Sequence, residues 1–515
     1  MAQEQSRNLA RLAEAAFQRL GDHESLVYEG KAYRSGELFE RGRRVAGGLG
    51  EIGVRPGDRI VVLMANCPEV PVTYHAIWRA GAVVTPVIFL VSPAELAHIL
   101  TDSRAEVIVT SPELLGTVAG AAAQAPGLRR VVVAGEWPPD ALPETVDVTS
   151  YEELEAAAPV GIAPRGDDEP AALLYTGGTT GRAKGVVLTH RNLHACSLAT
   201  HEASDVEDST RTLVPLPLSH AYGLIVTLTG WHSTKPGLGV LQRWFTPQEW
   251  LELAAKHGVH RTTLVPSMIR MLLDLPLEDA DLSQLRYVNS GAAPLPPDTR
   301  AEWERRVPSS RILEGYGCTE SGSVVSATHP DAIRPGSVGR ALPGYEVEIR
   351  DDDGELPVPA GTDGEIWVRS AGVMAGYWNA PVLTSETLRD GWLRTGDMGR
   401  VDADGYLYVV DRKKDLILRG GFNVYPRDVE DVLVTHPDVA AAGVVGRPDG
   451  RLGEEVVAYV ALHPESKLTG AELVAYARGK LAAHKYPRDV HILGGLPLTS
   501  VGKLDRKALR TLAAG

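Results

Sequence analysis

Through the first half of the chain, short apolar runs rich in valine and isoleucine alternate with helical stripes. Residues 59–66 (RIVVLMAN), 105–111 (AEVIVTS) and 129–135 (RRVVVAG) predict strands, because continuous β-branched runs suit strands covered on both faces. Residues 93–103 (PAELAHILTDS) read as a helix between two of them. Leu9, Leu12, Ala16 and Leu20 recur at helical spacing and predict a first surface helix. Strand–helix alternation of this kind points to parallel sheets with helices on both faces. From about Gly336 the texture changes. Residues 344–370 run with period two between Asp/Gly and Pro/Gly turn signals, which predicts antiparallel hairpins. A second change falls near the charged string 411–415 (DRKKD). Beyond it, residues 424–439 read as a helix, 441–446 and 454–462 as strands, and 469–484 as a helix whose Thr469 and Glu472 offer a capping box. That is enough for a separate α+β domain. The string itself reads either as a solvated turn or as a hinge.

Composition narrows the class. At roughly 150 residues per domain, 515 residues suggest three folding units, or one large unit and a small one. A net charge of −14 without a basic run argues against a nucleic-acid protein. Cys67, Cys196 and Cys318 are too far apart in sequence for a disulfide framework or a zinc site. The longest apolar stretch, residues 80–91, falls short of the ~20 residues of a spanning helix and contains Pro86. The N-terminus carries Glu4 and Glu14 and lacks the apolar core of a signal peptide. A soluble, cytoplasmic protein with no membrane span is the expectation.

The densest chemistry lies at residues 173–193 (LLYTGGTTGRAKGVVLTHRNL). An apolar strand end runs into a loop with Gly177, Gly178, Gly181 and Gly185, and the segment is expected to continue into a helix. Glycines let backbone N–H groups approach an anion, threonine hydroxyls add donors, and Lys184 adds a full charge. The Walker pattern does not fit, since Gly185 follows Lys184. A lysine ~4 Å from a phosphate oxygen gains on the order of 4 kcal/mol at an effective dielectric of 20. Remote carboxylates are screened beyond ~8 Å at physiological salt, so an acidic chain can still bind a polyanion through local cations.

The loop YTGGTTGRAKG resembles the signature of the adenylate-forming superfamily of acyl-CoA synthetases, aryl-CoA ligases, peptide-synthetase adenylation domains and luciferases. Further segments match that superfamily in order: residues 217–223 (PLSHAYG), 289–295 (NSGAAPL), 314–320 (EGYGCTE), 391–397 (GWLRTGD), 410–430 (VDRKKDLILRGGFNVYPRDVE) and 497–509 (PLTSVGKLDRKAL). Residues 1–413 are then an N-terminal adenylation domain, with doubly wound sheets and a small β-barrel subdomain. Residues 414–515 are a mobile α+β C-terminal domain.

The resemblance assigns roles residue by residue. Thr176, Gly177, Gly178, Thr179, Thr180 and Lys184 cradle the phosphates of ATP, with Thr179 counted among the catalytic groups. Glu320, beside Thr319, is the Mg²⁺ ligand. Tyr316 stacks on adenine, with Gly291, Ala292 and Ala293 on its other face and Glu314 and Gly317 nearby. Asp397 accepts from both ribose hydroxyls, as an acceptor-only carboxylate can. Arg412 is the second ribose contact, Lys414 the hinge, and Gly421 lies beside the tunnel for the pantetheine of coenzyme A. Lys503 bridges the carboxylate substrate and the α-phosphate, neutralising charge as the phosphorus becomes pentavalent. Gly178 stands where many members have serine and Ala183 where proline is frequent, so neither departure removes a charge.

The implied reaction has two halves: a carboxylate attacks ATP to give acyl-adenylate and pyrophosphate, then a thiol displaces AMP. His220 occupies the place where amino-acid-activating members carry an aspartate, which favours an acid without an α-ammonium group, unless His220 merely packs or caps. Leu224, Ile225, Thr227, Leu228 and Trp231 would wall an aliphatic or aromatic acyl group. The thiol is CoA or, alternatively, an acyl carrier protein. A non-catalytic nucleotide-binding relative is the third reading, opposed by the retained Lys184, Glu320, Asp397 and Lys503. A homodimer is left open.

Overall fold

The computed structural model describes residues 6–176, 183–204, 206, 209–351, 354, 356–498 and 504–514. The chain divides into two compact units, Met1–Val347 with Val368–Arg394, and Glu348–Trp367 with Thr395–Gly515.

The first unit holds two large sheets. In the eight-stranded sheet the order runs Gly376–Tyr377, Lys184–Thr189, Pro170–Thr176, Val83–Pro86, Arg59–Leu63, Val107–Thr110, Arg130–Val133, Asp147–Ser150. The pairings from Pro170–Thr176 through Asp147–Ser150 are parallel. The valine-rich runs therefore form buried strands as predicted: Val61, Leu63, Ile108 and Val131 share one core with Leu96 and Leu100 of the helix Pro93–Ser103. The first run leaves the sheet at Leu63, and its polar end has a separate use. Buried Asn66 accepts from the Leu218 N–H and donates to the Leu216 and Gln242 carbonyls, pinning the segment before His220.

The nine-stranded sheet runs Arg340–Ala341, Ser326–Ala327, Arg311–Tyr316, Tyr287–Ser290, Arg261–Leu264, Arg211–Val214, Leu238–Leu241, Glu24–Tyr28, Lys31–Arg34. Its middle pairings are parallel. Trp250 and Trp303 fill the layer beside it, with Leu213, Val288 and Ile312. The first helix, Leu9–Leu20, is docked rather than superficial. Leu9, Ala10, Ala13 and Ala16 are buried, Asn8 caps it, and the Leu9 N–H donates to His190 Nδ1.

One expectation is corrected. The glycine-rich loop leads not into a helix but into the strand Lys184–Thr189, antiparallel to Pro170–Thr176. The helix begins only at His190. The β-branched run in KGVVLT pairs on both sides, with Pro170–Thr176 and with Gly376–Tyr377, and that pairing outweighs any helical tendency.

Downstream, a five-stranded sheet joins Glu346–Arg350, Gly364–Arg369, Trp392–Val401, Leu388–Arg389 and Leu407–Arg412. In the second unit another five-stranded sheet is ordered Phe422–Val424, Ile417–Arg419, Gly453–Leu462, Val439–Asp449, with Asp489–Leu493 parallel to Gly453–Leu462. The helix Pro426–Val434 buries Val429 and Leu433, and the helix Gly470–Arg478 buries Leu473, all in one core with Val444 and Val456. The Thr469–Glu472 capping box forms in both directions. Among the described residues no helix is long and apolar enough to cross a membrane.

Thr469→Ala removes the hydroxyl acceptor of that box. It should lower the unfolding free energy of the C-terminal unit by about 1 kcal/mol, read by urea unfolding followed through far-UV circular dichroism.

Candidate active site

The glycine-rich loop is closed by its two ends. Thr176 and Lys184 are register partners at the mouth of the hairpin. Gly177, Gly178, Thr179 and Thr180 lie outside the described residues. Gly185 is required by packing: a Cβ there would meet Leu173 Cδ1 at 2.9 Å and Trp378 Cβ at 3.1 Å.

Residues 374–378 run beside the hairpin and tie it to Glu320. The Trp378 N–H donates to the Gly185 carbonyl at 2.7 Å, and the Ala375 N–H to the Val187 carbonyl at 3.0 Å. The Met374 N–H donates to the Glu320 carbonyl at 2.8 Å. At the centre the Tyr377 hydroxyl donates to Glu320 Oε1 at 2.9 Å, and the Lys184 ammonium sits 5.8 Å from the Tyr377 ring centroid. Burial, then the Glu320 charge, push the Tyr377 pKa up, so the phenol stays a neutral donor. Sequence reasoning missed Tyr377. A single tyrosine between turn residues carries no periodicity, and only the sheet edge shows which carboxylate and which lysine it joins.

The predicted adenine elements converge for a topological reason. Tyr287–Ser290 and Arg311–Tyr316 are neighbouring parallel strands, so the segments leaving their carboxyl ends lie side by side. This is where ligands bind in open α/β sheets. One segment carries Gly291, Ala292 and Ala293, with Ala292 at φ +67°, a left-handed conformation that costs a non-glycine residue on the order of 1 kcal/mol. Ser290 Oγ, just before it, is buried without a hydrogen-bond partner among the described residues. Such a group is expected where a ligand supplies the partner. The other segment carries half-buried Tyr316, then Gly317, whose Cβ would fall 1.9 Å from the Ser323 carbonyl oxygen, then the 3₁₀ turn Thr319–Ser321 with Glu320. Glu314, on the strand that leads into this segment, has its carboxylate held by Arg300 at 2.6 Å.

His220 is the N-cap of the helix Ala221–Gly230, its Nδ1 accepting the Tyr222 N–H at 3.2 Å. That bond places the proton of the neutral ring on Nε2. Tyr222 is half-buried, its hydroxyl 2.9 Å from Thr263 Oγ1, and desolvation of that hydroxyl pushes its pKa up. Thr263 is the register partner of Asn289, so this polar group sits just below the Gly291 turn. Leu224, Ile225 and Leu228 are fully buried in the core, and Trp231 packs edge-on against His75 and Trp78. Thr227 donates to the Gly223 carbonyl.

In the second unit, Asp397 and Arg412 are cross-strand partners, with Arg412 Nε 3.2 Å from the buried Asp397 carboxylate. Lys414 lies in the 3₁₀ turn Lys413–Asp415, where burial lowers its pKa. Gly420 and Gly421, at φ +59° and +83°, make the two-residue turn between Ile417–Arg419 and Phe422–Val424. Nothing lies within 4 Å of a Cβ placed on Gly421, so its visible requirement is backbone conformation. Lys503 lies outside the described residues.

Residues 12–378 match the AMP-binding enzyme family, and residues 428–503 match the AMP-binding enzyme C-terminal domain. The chain belongs to the AMP-binding enzyme family. Feruloyl-CoA synthase of Amycolatopsis sp is 38% identical over 500 residues, 96% of each chain. Long-chain-fatty-acid–CoA ligase of Bacillus subtilis is 34% identical over 526 residues, 95% of this chain and 92% of that one. Two solved structures match throughout. Anthranilate CoA ligase AuaEII with anthranoyl-AMP has a TM-score of 0.89 and 27% identity, covering 99% of this chain and 97% of that one. The amide bond synthetase McbA of Marinactinospora thermotolerans has a TM-score of 0.87 and 31% identity, covering 98% and 100%. This family member is an AMP-forming acyl-CoA synthetase, an acid–thiol ligase that uses ATP and CoA.

No group of three or more His, Cys, Asp or Glu side chains that could hold a metal ion occurs among the described residues. The oxygen donors at Thr319 and Glu320 suit a hard cation that keeps its waters and shares substrate phosphates, as magnesium does.

Tyr377→Phe deletes only the hydroxyl and keeps the ring against Lys184. Losing a charge-assisted hydrogen bond, on the order of 1.4 kcal/mol, should weaken ATP binding by about tenfold with Mg²⁺ present. With Mg²⁺ chelated the loss should shrink to within about twofold, read by isothermal titration calorimetry.

Proposed function

We propose that this synthetase activates an aromatic carboxylic acid, with Lys184, Glu320 and Lys503 as its charged groups. The observation that carries the reading is the joining of Lys184 and Glu320 through Tyr377 beside the glycine-rich hairpin. Such an arrangement suits a nucleotide triphosphate and a divalent cation.

Lys184 draws the phosphates of ATP to the hairpin mouth, and glycine is the residue type that lets backbone N–H groups approach an anion. Glu320 and Thr319 would hold Mg²⁺, which supplies charge neutralisation for pyrophosphate as leaving group. Asp397 accepts from the ribose diol, with the Arg412 guanidinium 3.2 Å from that carboxylate. Tyr316 stacks on adenine, and Ser290 offers its unpartnered hydroxyl at the same strand end. Lys503 places its ammonium between the substrate carboxylate and the α-phosphate, so that the carboxylate oxygen attacks phosphorus and pyrophosphate departs. Residues 414–515 then turn about Lys414, and the CoA sulfur attacks the acyl carbon with loss of AMP.

Three features support an aromatic acid. His220 offers no carboxylate to an α-ammonium group. The aliphatic face of the helix Ala221–Gly230 is packed shut, and the polar Tyr222–Thr263 pair lies beneath the Gly291 turn. Relatives named for ferulate and 4-coumarate span nearly the whole chain.

A panel of phenylpropenoic, benzoic, medium- and long-chain acids, assayed for pyrophosphate release with and without CoA, tests the reading. Phenylpropenoic or benzoic acids should be favoured by at least tenfold in kcat/KM, about 1.4 kcal/mol. A preference for long-chain acids would overturn the aromatic assignment, and thioester formed only on a carrier protein would overturn the CoA assignment. Lys503→Ala should slow adenylation by about a hundredfold or more, yet leave thioester formation from supplied acyl-adenylate within about threefold. Equal losses in both steps would remove the role given to Lys503.

A further inference from the structure

The chain flanking the Lys503 segment is tied down on a single face of the second unit. Before and after it, Leu498 and Leu504 form an antiparallel bridge, and the Asp505 N–H donates to the Pro497 carbonyl at 2.9 Å. The helix Arg506–Ala514 follows at once, and its residues 506, 509 and 510 share a face at i, i+3 and i+4. Arg506 Nη2 donates to both oxygens of Glu430, each at 2.8 Å, and Glu430 Oε1 also accepts the Val444 N–H at 2.8 Å. Leu509 is fully buried with Val445, Val457 and Tyr459. Arg510 donates to Asp415 Oδ1 at 2.5 Å and to the Lys414 carbonyl at 3.3 Å. Gly443 makes the seat possible, since a Cβ there would meet Leu509 Cδ1 at 2.7 Å and Leu504 Cδ2 at 3.0 Å.

We propose that Glu430, acting through Arg506, is a positioning residue for the adenylating lysine. The pair fixes the helix that follows Lys503 against the helix Pro426–Val434, and so sets the point from which the Lys503 side chain reaches. This rests on the role given to Lys503 above. A flexible four-carbon stem has no geometric selectivity of its own, so its precision must come from the backbone that carries it. Arg506 is three residues along, and the intervening Leu504 and Asp505 are tied to Leu498 and Pro497. A displacement of about 1 Å at a reacting group is enough to cost up to a hundredfold in rate.

The same pair has a pH signature. Glu430 is faced by Arg506 from the C-terminal helix, by the Val444 N–H from the neighbouring strand, by Asp411 from the end of Leu407–Arg412, and by Asp431 on its own helix. Arg427 stands beside Asp431 at 3.6 Å and donates its N–H to Asp411. Burial pushes Glu430 up from 4.5 to about 7, with Arg506 pulling it back. A folded-state pKa raised above the unfolded one contributes stability that is complete below the unfolded value and is lost as pH rises through about 7. Burial raises Asp411 and Asp431 too, with the same sign. Positioning runs the opposite way, because the ionised carboxylate grips Arg506. Adenylation should therefore strengthen with pH across the interval in which the C-terminal unit loses stability.

The test measures ATP–pyrophosphate exchange, and thioester formation from supplied acyl-adenylate, on full-length protein with an accepted acid. Glu430→Gln should lower exchange by about tenfold and leave thioester formation within about twofold. Arg506→Lys, which keeps the charge but not the planar, pre-organised donor, should fall between. In the parent the ratio of exchange to thioester formation should rise from about pH 6 to about pH 8, and in Glu430→Gln it should be flat. Exchange within twofold of the parent, equal loss in both half-reactions, or a ratio that tracks the thermal unfolding midpoint would overturn the proposal. Lys503→Ala separates the two ideas: exchange lost there but intact in both pair variants removes only the positioning role, whereas exchange intact in Lys503→Ala removes the lysine assignment itself.

Discussion

A five-residue stretch, 374–378, holds the first unit's chemistry in register. Its backbone donates to Val187 and Gly185 on the strand that leaves the glycine-rich loop, and to Glu320 on the turn after a strand of the other large sheet. Its one phenol then joins the side chains at the two ends of that bridge. A lysine and a carboxylate meant for opposite partners, phosphate and cation, would otherwise collapse into an ion pair. An ordered aromatic ring that donates to one and receives the other on its face keeps them apart while satisfying both. Gly185 and Gly317 serve the same end, since a Cβ at either would push the paired segments apart.

The overall charge bears on this only indirectly. A chain at −14 repels ATP and CoA at long range, yet charges beyond ~8 Å are screened at physiological salt. Binding is thus decided by the few cations that the fold sets close to the substrates. The carboxylates are managed locally too: Arg300 takes Glu314, Arg412 takes Asp397 and Arg506 takes Glu430. In each case a buried or half-buried acid gains a guanidinium partner, and the backbone that carries it is fixed as a consequence. For Glu430 the result is a support for the segment that bears Lys503.

The two candidate sites of strain are also instructive. Ala292 adopts a left-handed conformation and Ser290 keeps an unpartnered buried hydroxyl, both at one strand end. Neither is what folding alone would select, since each costs on the order of a kcal/mol. They persist where parallel strands end side by side and a ligand can make up the difference.

Several buried strands, a few helices and the family were legible along the chain, because β-branched runs, capping residues and contiguous motifs are local signals. Arg59–Leu63, Val107–Thr110 and Arg130–Val133 follow from their own side chains, and the Thr469–Glu472 box needs only four residues. The helix expected directly after the glycine loop failed because Lys184–Thr189 is claimed by strands on both sides, one of them nearly two hundred residues away in sequence. Only the tertiary structure could decide that Tyr377 bonds Glu320, that Glu314 belongs to Arg300, that His220 caps its helix, and that Glu430 grips Arg506. The physical reason is common to all four. A hydrogen bond or ion pair falls off within a few ångströms, and which polar group enters that range is fixed by strand register and helix docking, not by distance along the chain.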